Sequence, residues 1–528
     1  MGLLGSLALA ACNGCHAGDH VAGPSGSGAV SDVPTVRLYF VSNVAGALEP
    51  CGCVKDQLGG LDHAAAWIAS ERVHAPTSAL VAAGPTFFMN AVEDPDHLSQ
   101  DTAKAEAMAG AMKGLGLSAW APGANDWAAG SPELGKLVQM SGAPALAANA
   151  SKDTTPALAP VNLVTLNGVR VALIGAVAAQ AGAGGIKPGA SPEDAVRTTA
   201  AQARKDGANV VIVLGAVGRG EAKRIADAAP DVTAIVVGDP SGTGEANVAS
   251  PPGEQVGSVI IAETANHLQT VGVLDLFVRG GSYSFADATG MADSRKRADL
   301  GRRIDDLHVR IANWEKDKNI APGDLEARRA DLAKLEAQRA KLDVLPPPAE
   351  GSYFRYSVKE VRDSLGQDPA VKASMASYFK LVNETNKREL AGRLPPPVTA
   401  GQPSYVGIDA CTTCHAPERK FWQTTRHASA YESLSSQSKE FNLDCVSCHV
   451  TGYDRPGGSS VTHVDKLMNV QCEVCHGPGS LHAATTSVKM PTPTPTPDLC
   501  VGCHHPPHVE GFDAMAKMAG IVGVGHGR

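Results

Sequence analysis

Short runs of aliphatic residues alternate with amphipathic stretches over the first half of the chain. The runs are rich in Val, Ile, Leu and Ala, which is typical of buried strands. The stretches between them repeat their apolar positions with a helical period, and Ser191 before Pro192 and Glu193 is a helix start signal. This alternation predicts a layered α/β domain. The predicted strands cover 36–41, 79–83, 169–174, 210–214 and 234–237, and the predicted helices cover 61–73, 102–113, 192–205 and 221–228.

The pattern changes in the middle of the chain. Residues 294–343 are highly charged and carry two apolar stripes with heptad-like spacing, separated by a break at 319–323. They predict a helical hairpin with a short apolar seam, which could pack on its own chain or on a partner. Proline runs at 346–348 and 395–397 predict stiff spacers on either side of a helix over 369–390. The stripes are Leu300, Ile304, Leu307 and Ile311, and Leu325, Leu332, Leu335 and Leu342.

Composition narrows the class of protein. The chain has 528 residues, too many for a single core, so several domains are expected. A net charge of −8 makes no case for nucleic-acid binding. Beyond the first dozen residues there is no apolar run of the roughly 18 residues that a spanning helix needs, so no transmembrane segment is expected.

The twelve cysteines are placed very unevenly. Four lie before residue 54 and eight after residue 410, so the part between them has no disulfide framework. The late cysteines form four copies of the pattern Cys-x-x-Cys-His within about a hundred residues. The four motifs are Cys411, Cys414 and His415; Cys445, Cys448 and His449; Cys472, Cys475 and His476; and Cys500, Cys503 and His504.

This spacing is the one that covalent attachment of c-type haem requires. Two thiols one helical turn apart add to the two haem vinyl groups, and the next residue, His, lies beneath the iron as its proximal ligand. Zinc is the alternative, because two Cys-x-x-Cys pairs can make a tetrahedral site, but zinc does not need a His after every second cysteine. We predict four haem c groups. Because residues 404–528 contain few large aliphatic side chains, the porphyrins would supply the buried apolar surface, and the apo chain is expected to be largely unfolded there.

Histidines outside the motifs are candidates for the sixth iron ligand. Bis-His ligation suits electron transfer, whereas an open position would permit chemistry on a small molecule. His427 and His482 follow the first and third motifs and are the better candidates. For each candidate the alternative is a solvated or propionate-pairing histidine. The full set is His427, His482, His463, His505 and His508.

The sequence around the first three motifs resembles a known family. The stretches WQTTRHA (422–428), CVSCHVTGY (445–453) and CEVCHGPG (472–479) are similar to the tetrahaem cytochrome c family that accepts electrons from hydroxylamine oxidoreductase. The resemblance covers about 404–510. It implies stacked haem pairs, mostly bis-His ligation with one iron sometimes five-coordinate, and redox partner proteins.

The first half of the chain resembles a second family. Over 35–280, the order of elements and the stretches SNVAGALEPCGC (42–53), GGL (59–61), AGP (83–85), GAND (123–126) and VGDPS (237–241) are similar to calcineurin-like metallophosphatases of the 5′-nucleotidase type. The resemblance implies two metals held by Asp and His in the loops after the strands. Almost no ligand is kept, so we expect a pseudo-phosphatase, with residual one-metal activity as the alternative. The degenerate positions are Asn43, Ala45, Pro85, Asn125, Ala216, Asp239 and Ser241, and Asp126 and Asp239 are the carboxylates that remain.

The first four cysteines raise separate questions. Cys51 and Cys53 favour a structural disulfide, with each other or with Cys15, over a reactive or metal-binding pair. The stretch LAACNGCH (9–16) fits both a lipobox and a Cys-x-x-Cys-His haem site. Because c-type haem is attached outside the cytoplasm, an export signal is required, and we expect Cys12 to carry lipid rather than a fifth haem.

These observations combine into one expected organisation. We expect a lipoprotein signal peptide (1–11), a flexible tether (12–34), a metallophosphatase-like domain (35–285), a helical hairpin with linker helices (286–398) and a tetrahaem domain (399–528). The expected function is that of a periplasmic or outer-membrane-anchored cytochrome that transfers electrons in a respiratory chain. The alternatives are a multihaem oxidoreductase that acts on a nitrogen or sulfur oxyanion at a five-coordinate haem, and a metal-dependent phosphoester hydrolase.

Overall fold

A computed structural model describes most of the chain. The described residues are 33–50, 57–178, 186–187, 189–241, 244–317, 320–343, 346–505, 509 and 511–523. The predictions made for Cys12, Cys51, Cys53 and His508 lie outside these residues, as do those for the signal peptide and most of the tether.

Within these residues, twelve strands form two six-stranded mixed sheets. The strands are β1 (Val36–Ser42), β2 (Ser78–Gly84), β3 (Leu117–Pro122), β4 (Val161–Leu166), β5 (Val169–Val177), β6 (Val210–Ala216), β7 (Ala234–Gly238), β8 (Glu254–Val256), β9 (Val259–Ala262), β10 (Thr270–Phe277), β11 (Phe285–Asp287) and β12 (Ser352–Glu360). The first sheet has the order β11-β12-β10-β1-β2-β3, and the second has the order β4-β5-β6-β7-β9-β8. Strands β1, β2 and β3 run parallel, as do β5, β6, β7 and β9.

Fifteen α-helices lie in the described part of the chain. They are α1 (Leu61–Arg72), α2 (Leu98–Gly114), α3 (Ser131–Ser141), α4 (Pro192–Lys205), α5 (Arg219–Ala228), α6 (Ser294–Trp314), α7 (Pro322–Asp343), α8 (Pro369–Glu389), α9 (Ile408–Thr412), α10 (Ala416–Trp422), α11 (Ala430–Ser435), α12 (Leu443–His449), α13 (Cys472–His476), α14 (Ser480–Ala484) and α15 (Ala514–Met518). None of these helices, within the residues described, combines the length and the apolar character that crossing a bilayer requires.

The two sheets pack face to face, with helices on their outer faces. Along β1, Leu38 and Phe40 point into the core between the sheets, whereas Tyr39 and Val41 point outward to the helices, as the two-residue period of a strand requires. Helices α1, α2, α3 and α8 cover the outer face of the first sheet. Helices α4 and α5 cover the second. The structure therefore confirms the predicted layered α/β architecture.

The observed elements match the aliphatic runs closely. The five predicted strands are present as β1, β2, β5, β6 and β7, and the four predicted helices are present as α1, α2, α4 and α5. Helix α4 begins where its start signal lies, since the Ser191 side chain accepts a hydrogen bond from the Asp194 backbone N–H at 3.1 Å.

One part of the middle segment belongs to the first sheet. The sequence placed 286–398 outside the layered domain and predicted only helices there. Strand β12 instead pairs with β10 along eight residues, from Thr270 opposite Glu360 to Phe277 opposite Tyr353. The edge of the layered domain therefore does not coincide with residue 285, because a strand that follows the hairpin returns to complete the sheet.

The helical hairpin is present between these strands. Helices α6 and α7 pack against each other, and Leu300, Ile304 and Ile311 are buried along α6. An ion pair between Arg329 and Glu315, with 2.7 Å between nitrogen and oxygen, links the two helices at the distal end. The apolar seam therefore packs within its own chain.

The C-terminal region, defined here as the described residues from 399 onward, consists of short helices joined by turns. Its small core contains Leu443, Val446, Val450, Val461 and Val464. The region packs on α2 and α8 through a buried polar junction. There the Gln100 side-chain oxygen accepts hydrogen bonds from the Asn386 amide and from the Leu443 backbone N–H, each at 2.9 Å.

Candidate functional site

Each of the four Cys-x-x-Cys-His motifs begins on a helical turn. The second and third motifs lie in α12 and α13. The first starts in α9, and the fourth starts in the 3₁₀ turn Pro497–Gly502. In the first and fourth motifs the histidine N–H donates to the carbonyl of the first cysteine at 2.9 Å. Residues three apart lie on the same side of a helical turn, so both thiols of each motif face one side.

Thiols from different motifs lie side by side. Cys411 of the first motif contacts Cys472 of the third, and the hydrogen bond between them lowers the pKa of Cys472. Cys448 of the second motif contacts Cys503 of the fourth in the same way, which lowers the pKa of Cys448 to about 6. The motifs are therefore grouped, the first with the third and the second with the fourth.

Two motif histidines face a histidine from elsewhere in the region. His415 of the first motif lies opposite His482, and His504 of the fourth lies opposite His427, with 6.4 Å between the ring centres in each pair. Two nitrogen–metal bonds of about 2 Å, plus about 1 Å from each nitrogen to its ring centre, place two imidazoles that share one metal about 6 Å apart. Both pairs have the separation that axial ligation of one iron requires.

Several of these rings are oriented by backbone carbonyls. Nδ1 of His449 lies 2.6 Å from the Ala430 carbonyl oxygen, and Nδ1 of His476 lies 3.0 Å from that of Thr492. Since a carbonyl can only accept, Nδ1 carries the hydrogen and Nε2 is left to bind a metal. His482 has the same arrangement with the Val488 carbonyl at 2.6 Å. These contacts hold the rings in the tautomer that haem iron requires.

The electrostatics of the second histidine pair also suit a metal. Burial lowers the pKa of His427, and the neighbouring His504 lowers it further. Burial lowers the pKa of His504 as well, and its ring stacks on Phe512 with 4.4 Å between the ring centres. Both rings are therefore neutral at pH 7, the state in which imidazole binds metals.

The remaining sixth-ligand candidates have other surroundings. Nδ1 of His463 lies 3.1 Å from the Thr462 hydroxyl, and the Ser460 hydroxyl lies on the same nitrogen at 3.3 Å. Nδ1 of His505 lies 3.8 Å from a carboxylate oxygen of Glu245, a residue of the layered region. Among the described residues, His463 has no ring contact with a motif histidine.

Several apolar side chains near the third and fourth motifs are exposed. Most strand residues of the layered region are buried, with Leu163 of β4 at 48% as an exposed exception. Large apolar side chains without protein cover match the expectation that porphyrin faces supply the missing apolar surface. With the paired histidines and the paired thiols, they show that the residues present fit haem c. The side chains concerned are Leu481, Val488, Leu499, Val501 and Met515, which are 39% to 71% exposed.

A buried carboxylate organises the third motif from within. Glu473 is 1% exposed, and its oxygens accept hydrogen bonds from the backbone N–H groups of Val406, Gly407 and Gly479 at 2.7 to 3.2 Å. It thereby ties the irregular segment before the first motif and the turn after the third motif to one side chain. Sequence reasoning did not assign this role, although a charged residue between two haem-motif cysteines was a visible signal.

Charged side chains of the layered region lie beside the second motif. Together with Asp444, the residues His97, Asp101 and Lys104 are called the charged wall here. Asp444, which precedes Cys445, receives Lys104 Nζ of α2 at 3.1 Å on one oxygen and His97 Nδ1 at 3.4 Å on the other. Although burial opposes it, these two groups hold the pKa of Asp444 well below its usual range. Lys104 also lies 2.9 Å from Asp101. Sequence reasoning missed this cluster because its members are more than 300 positions apart.

A second ion pair joins the regions nearby. Lys439 Nζ lies 2.7 and 2.8 Å from the two carboxylate oxygens of Glu49, and it lies 4.1 Å from the ring centre of Phe379. Glu49 follows β1, so the loop after the first strand is held against the C-terminal region. The charges of Lys439 and Glu49 also act on the Cys445 thiol.

The positions that resemble degenerate metal ligands meet at the carboxyl ends of the strands. Asn43 and Asp239 are joined by two hydrogen bonds, from the Asp239 N–H at 2.7 Å and from the Asn43 amide at 3.2 Å. The Asn125 amide donates to the Met89 carbonyl at 2.6 Å. Ala45 follows Asn43 in the same loop, while Pro85 follows β2, Ala216 ends β6, and Ser241 lies in the loop after β7. In the described part of the chain, no group of three or more His, Cys, Asp or Glu side chains is arranged to hold a metal ion.

Comparison with known proteins identifies relatives of both regions. Residues 410–477 match the family of cytochrome c554 and c-prime. Cytochrome c-554 of Nitrosomonas europaea is 32% identical over 96 residues, which cover 15% of this chain and 41% of that protein. The chain therefore spans less than half the length of this relative.

The layered region is similar to solved structures. The 5′-nucleotidase precursor of Thermus thermophilus is 16% identical with a TM-score of 0.43, over 66% of this chain and 59% of that one. The calcineurin-like phosphoesterase YfkN of Bacillus subtilis is 18% identical with a TM-score of 0.36, over 47% of this chain and 86% of that one. Both likenesses concern the fold alone.

Proposed function

We propose that this chain is a tetrahaem c-type cytochrome that transfers electrons to and from redox partner proteins. The observation that supports the proposal best is the placement of His415 opposite His482 and of His504 opposite His427, both at 6.4 Å. Each pair joins a motif histidine to one from a different part of the region. Iron held by two histidines has no open position, which favours electron transfer over chemistry on a substrate.

The residues of this chain have distinct parts in the proposal. The eight motif cysteines hold four haem c groups, and His415, His449, His476 and His504 bind the irons from the proximal side. His427 and His482 complete two of the iron sites. Haem c supplies an iron that changes its oxidation state by one electron. The carbonyls of Ala430, Thr492 and Val488 orient the rings that bind it.

The layered region acts in this proposal as a scaffold that has lost its metal ligands. The pairing of Asn43 with Asp239 and the use of Asn125 to hold a backbone carbonyl support it, because these side chains are already engaged. Export and lipid attachment through Cys12 complete the proposal, since c-type haem is attached outside the cytoplasm. The protein would then face its redox partners from a membrane surface in the periplasm or at the outer membrane.

Haem content and ligation provide the test. Protein from a host that matures c-type cytochromes is expected to contain four haems by the pyridine haemochrome assay and by intact mass, together with a lipidated N-terminus. Replacing His427 or His482 by Ala is expected to convert one haem from low spin to high spin, whereas the matched control His463→Ala leaves the spectrum unchanged. Colourless protein, or histidine variants with unaltered spectra, would contradict the proposal.

Two further measurements separate the rival functions. An oxidoreductase with an open iron would bind added nitrite or cyanide in the unaltered protein, with a change in the optical spectrum. A phosphoester hydrolase would turn over a nitrophenyl phosphate ester with Mn²⁺ or Zn²⁺ and would lose that activity in Asp239→Ala. The proposed electron carrier is expected to show no phosphoesterase turnover, and no binding of nitrite or cyanide at the two irons that His427 and His482 complete.

A further inference from the structure

The charged wall beside the second motif involves three elements of the layered region. Helix α2 provides Lys104 and Asp101, the residue before it provides His97, and α8 provides Tyr378. Lys104, His97 and Tyr378 interact with Asp444, which directly precedes Cys445, and Asp101 holds Lys104 from its other side. The residue before the second motif thus contacts groups from α2 and its N-terminus, with Tyr378 of α8 close by.

Within the charged wall, Lys104 forms ion pairs with Asp444 and Asp101. Lys104 Nζ lies 3.1 Å from Asp444 and 2.9 Å from Asp101, and its side chain is only 16% exposed. A lysine held between two carboxylates is fully protonated, and limited exposure weakens the screening of its charge by water. Its charge acts on the Cys445 thiol, whose pKa burial and Asp444 raise and whose pKa Lys439 and Lys104 lower.

Two buried donors on the same wall have no hydrogen-bond partner among the described residues. They are the Tyr378 hydroxyl and the Gln100 side-chain nitrogen, on residues that are 4% and 2% exposed. Buried polar atoms normally find a partner, so these two donors are available to a water molecule or to a bound group. The Tyr378 hydroxyl lies within electrostatic range of both Asp444 and Cys445.

We propose that Lys104 and Asp444 are positioning residues that set the reduction potential of the haem held by the second motif. This inference rests on the proposed function, because it requires a haem at Cys445 and Cys448. One electron from a redox partner protein converts the ferric iron to ferrous iron, so the site gains one negative charge. Lys104 favours that gain, and Asp444 opposes it. The layered region thus tunes one haem of the four, besides supporting the region that carries them.

Removing the charge of Lys104 and removing that of Asp444 are expected to shift the reduction potential in opposite directions. A merely structural role of the two residues would not produce opposite shifts. Lys104→Met removes the positive charge and leaves two carboxylates, so the potential of the second haem is expected to fall. Asp444→Asn removes a negative charge, so the same potential is expected to rise. Lys104→Arg keeps the charge and is expected to leave the potential close to that of the unaltered protein. Each shift is expected to reach at least tenfold in the equilibrium constant for one-electron reduction, or about 59 mV.

The measurement is an optical redox titration of the full chain with its haems in place. Lys223→Met is the matched control, because Lys223 also forms a lysine–carboxylate pair, 3.0 Å from Glu254, on a helix that covers the second sheet. A variant with Ser at both Cys445 and Cys448 lacks the second haem and identifies its component in the titration. If that variant does not fold, the opposite shifts of a single component still decide the question.

The outcomes separate this inference from the function on which it rests. Four haems in every variant, with one component moved down by Lys104→Met and up by Asp444→Asn, support it. Unaltered titrations, shifts of the same sign, or an equal shift in Lys223→Met overturn it while the haem count leaves the proposed function standing. Protein without haem would overturn the proposed function itself.

Discussion

In the layered region, strand residues such as Val81, Ile212 and Val236 are at most 2% exposed, whereas Leu481 and Val488 in the C-terminal region remain about two-fifths exposed. These strand residues lie in the core between the two sheets, and such a core consists of protein alone. Leu481 and Val488 have no protein layer to cover them. The comparison shows that the same kinds of side chain form a closed core in one region and stay exposed near the Cys-x-x-Cys-His motifs in the other.

Despite this difference, the two regions share one structural feature. A buried carboxylate collects several backbone N–H groups in each: Asp126 holds those of Thr86, Phe87 and Gly123, and Glu473 holds those of the turns around the first and third motifs. Loops without regular partners need such acceptors, because a buried N–H without one costs free energy.

The largest expected effect is that of removing the haems. In a host that cannot attach haem, the C-terminal region is expected to lose its structure while the layered region stays folded. Only the C-terminal region is expected to need a cofactor for its buried apolar surface. Hydrogen exchange followed by mass spectrometry checks this in both preparations. Protection of residues 399–505 that does not depend on haem would contradict the comparison.

The next effect is that of losing the carboxylate in the third motif. Glu473→Ala leaves three backbone N–H groups buried without an acceptor, so the haem-loaded protein is expected to lose about 4 kcal/mol of its free energy of unfolding. Denaturant unfolding followed through the haem absorbance measures it. The exposed Glu432 serves as control, and Glu432→Ala is expected to change the same quantity by less than about 0.5 kcal/mol.

The corresponding change in the layered region is expected to be slightly smaller. Asp126→Ala removes the acceptor of three buried N–H groups, but it also relieves the cost of a buried charge, so a loss of about 3 kcal/mol is expected. Unfolding of the layered region, followed by far-ultraviolet circular dichroism, gives the value. An equal loss in the haem absorbance would show that the two regions unfold together, and no loss in the circular dichroism would contradict the prediction.

The same residue predicts a pH dependence. Burial raises the pKa of Asp126 to about 7 from an ordinary value of 3.8, against the opposing hydrogen bonds from Phe87, Thr86 and Gly123. The folded state then binds more protons than the unfolded state between these values, so stability falls as the pH rises from about 4 to 7. Asp126→Asn is expected to flatten the profile by up to about 1.4 kcal/mol per pH unit. Urea unfolding at several pH values compares the two proteins, and equal slopes would contradict the assignment.

The smallest expected effect concerns α8, the helix that contributes Asn386 to the polar junction with the C-terminal region. The Asp368 side chain caps α8 by accepting hydrogen bonds from the N–H groups of Ala370 and Val371 at 3.0 and 2.9 Å. Asp368→Ala is expected to cost about 1 kcal/mol. Asp368→Asn keeps an acceptor and is expected to cost less than half of that by the same denaturant measurement. If Asp368→Ala and Asp368→Asn have the same free energy of unfolding, the side-chain acceptor of the cap does not stabilise the helix.

Local pattern was sufficient for much of the fold and for part of the site. The aliphatic runs predicted β1, β2, β5, β6 and β7 because buried strands must be apolar along their whole length. The spacing of the motifs predicts the attachment residues, because the chemistry acts within five consecutive positions. The sequence also indicated His427 and His482 from their places after the motifs, but not which motif each of them faces.

What the sequence by itself determined is therefore local: strands, helices, the hairpin and the four attachment motifs, each set by side chains close together along the chain. Only the tertiary structure decided which distant groups meet. It returned β12 to the first sheet, placed His482 opposite His415, and brought Lys104 to Asp444. These contacts join residues separated by tens to hundreds of positions. No short-range pattern encodes them, because they depend on how complete layers pack.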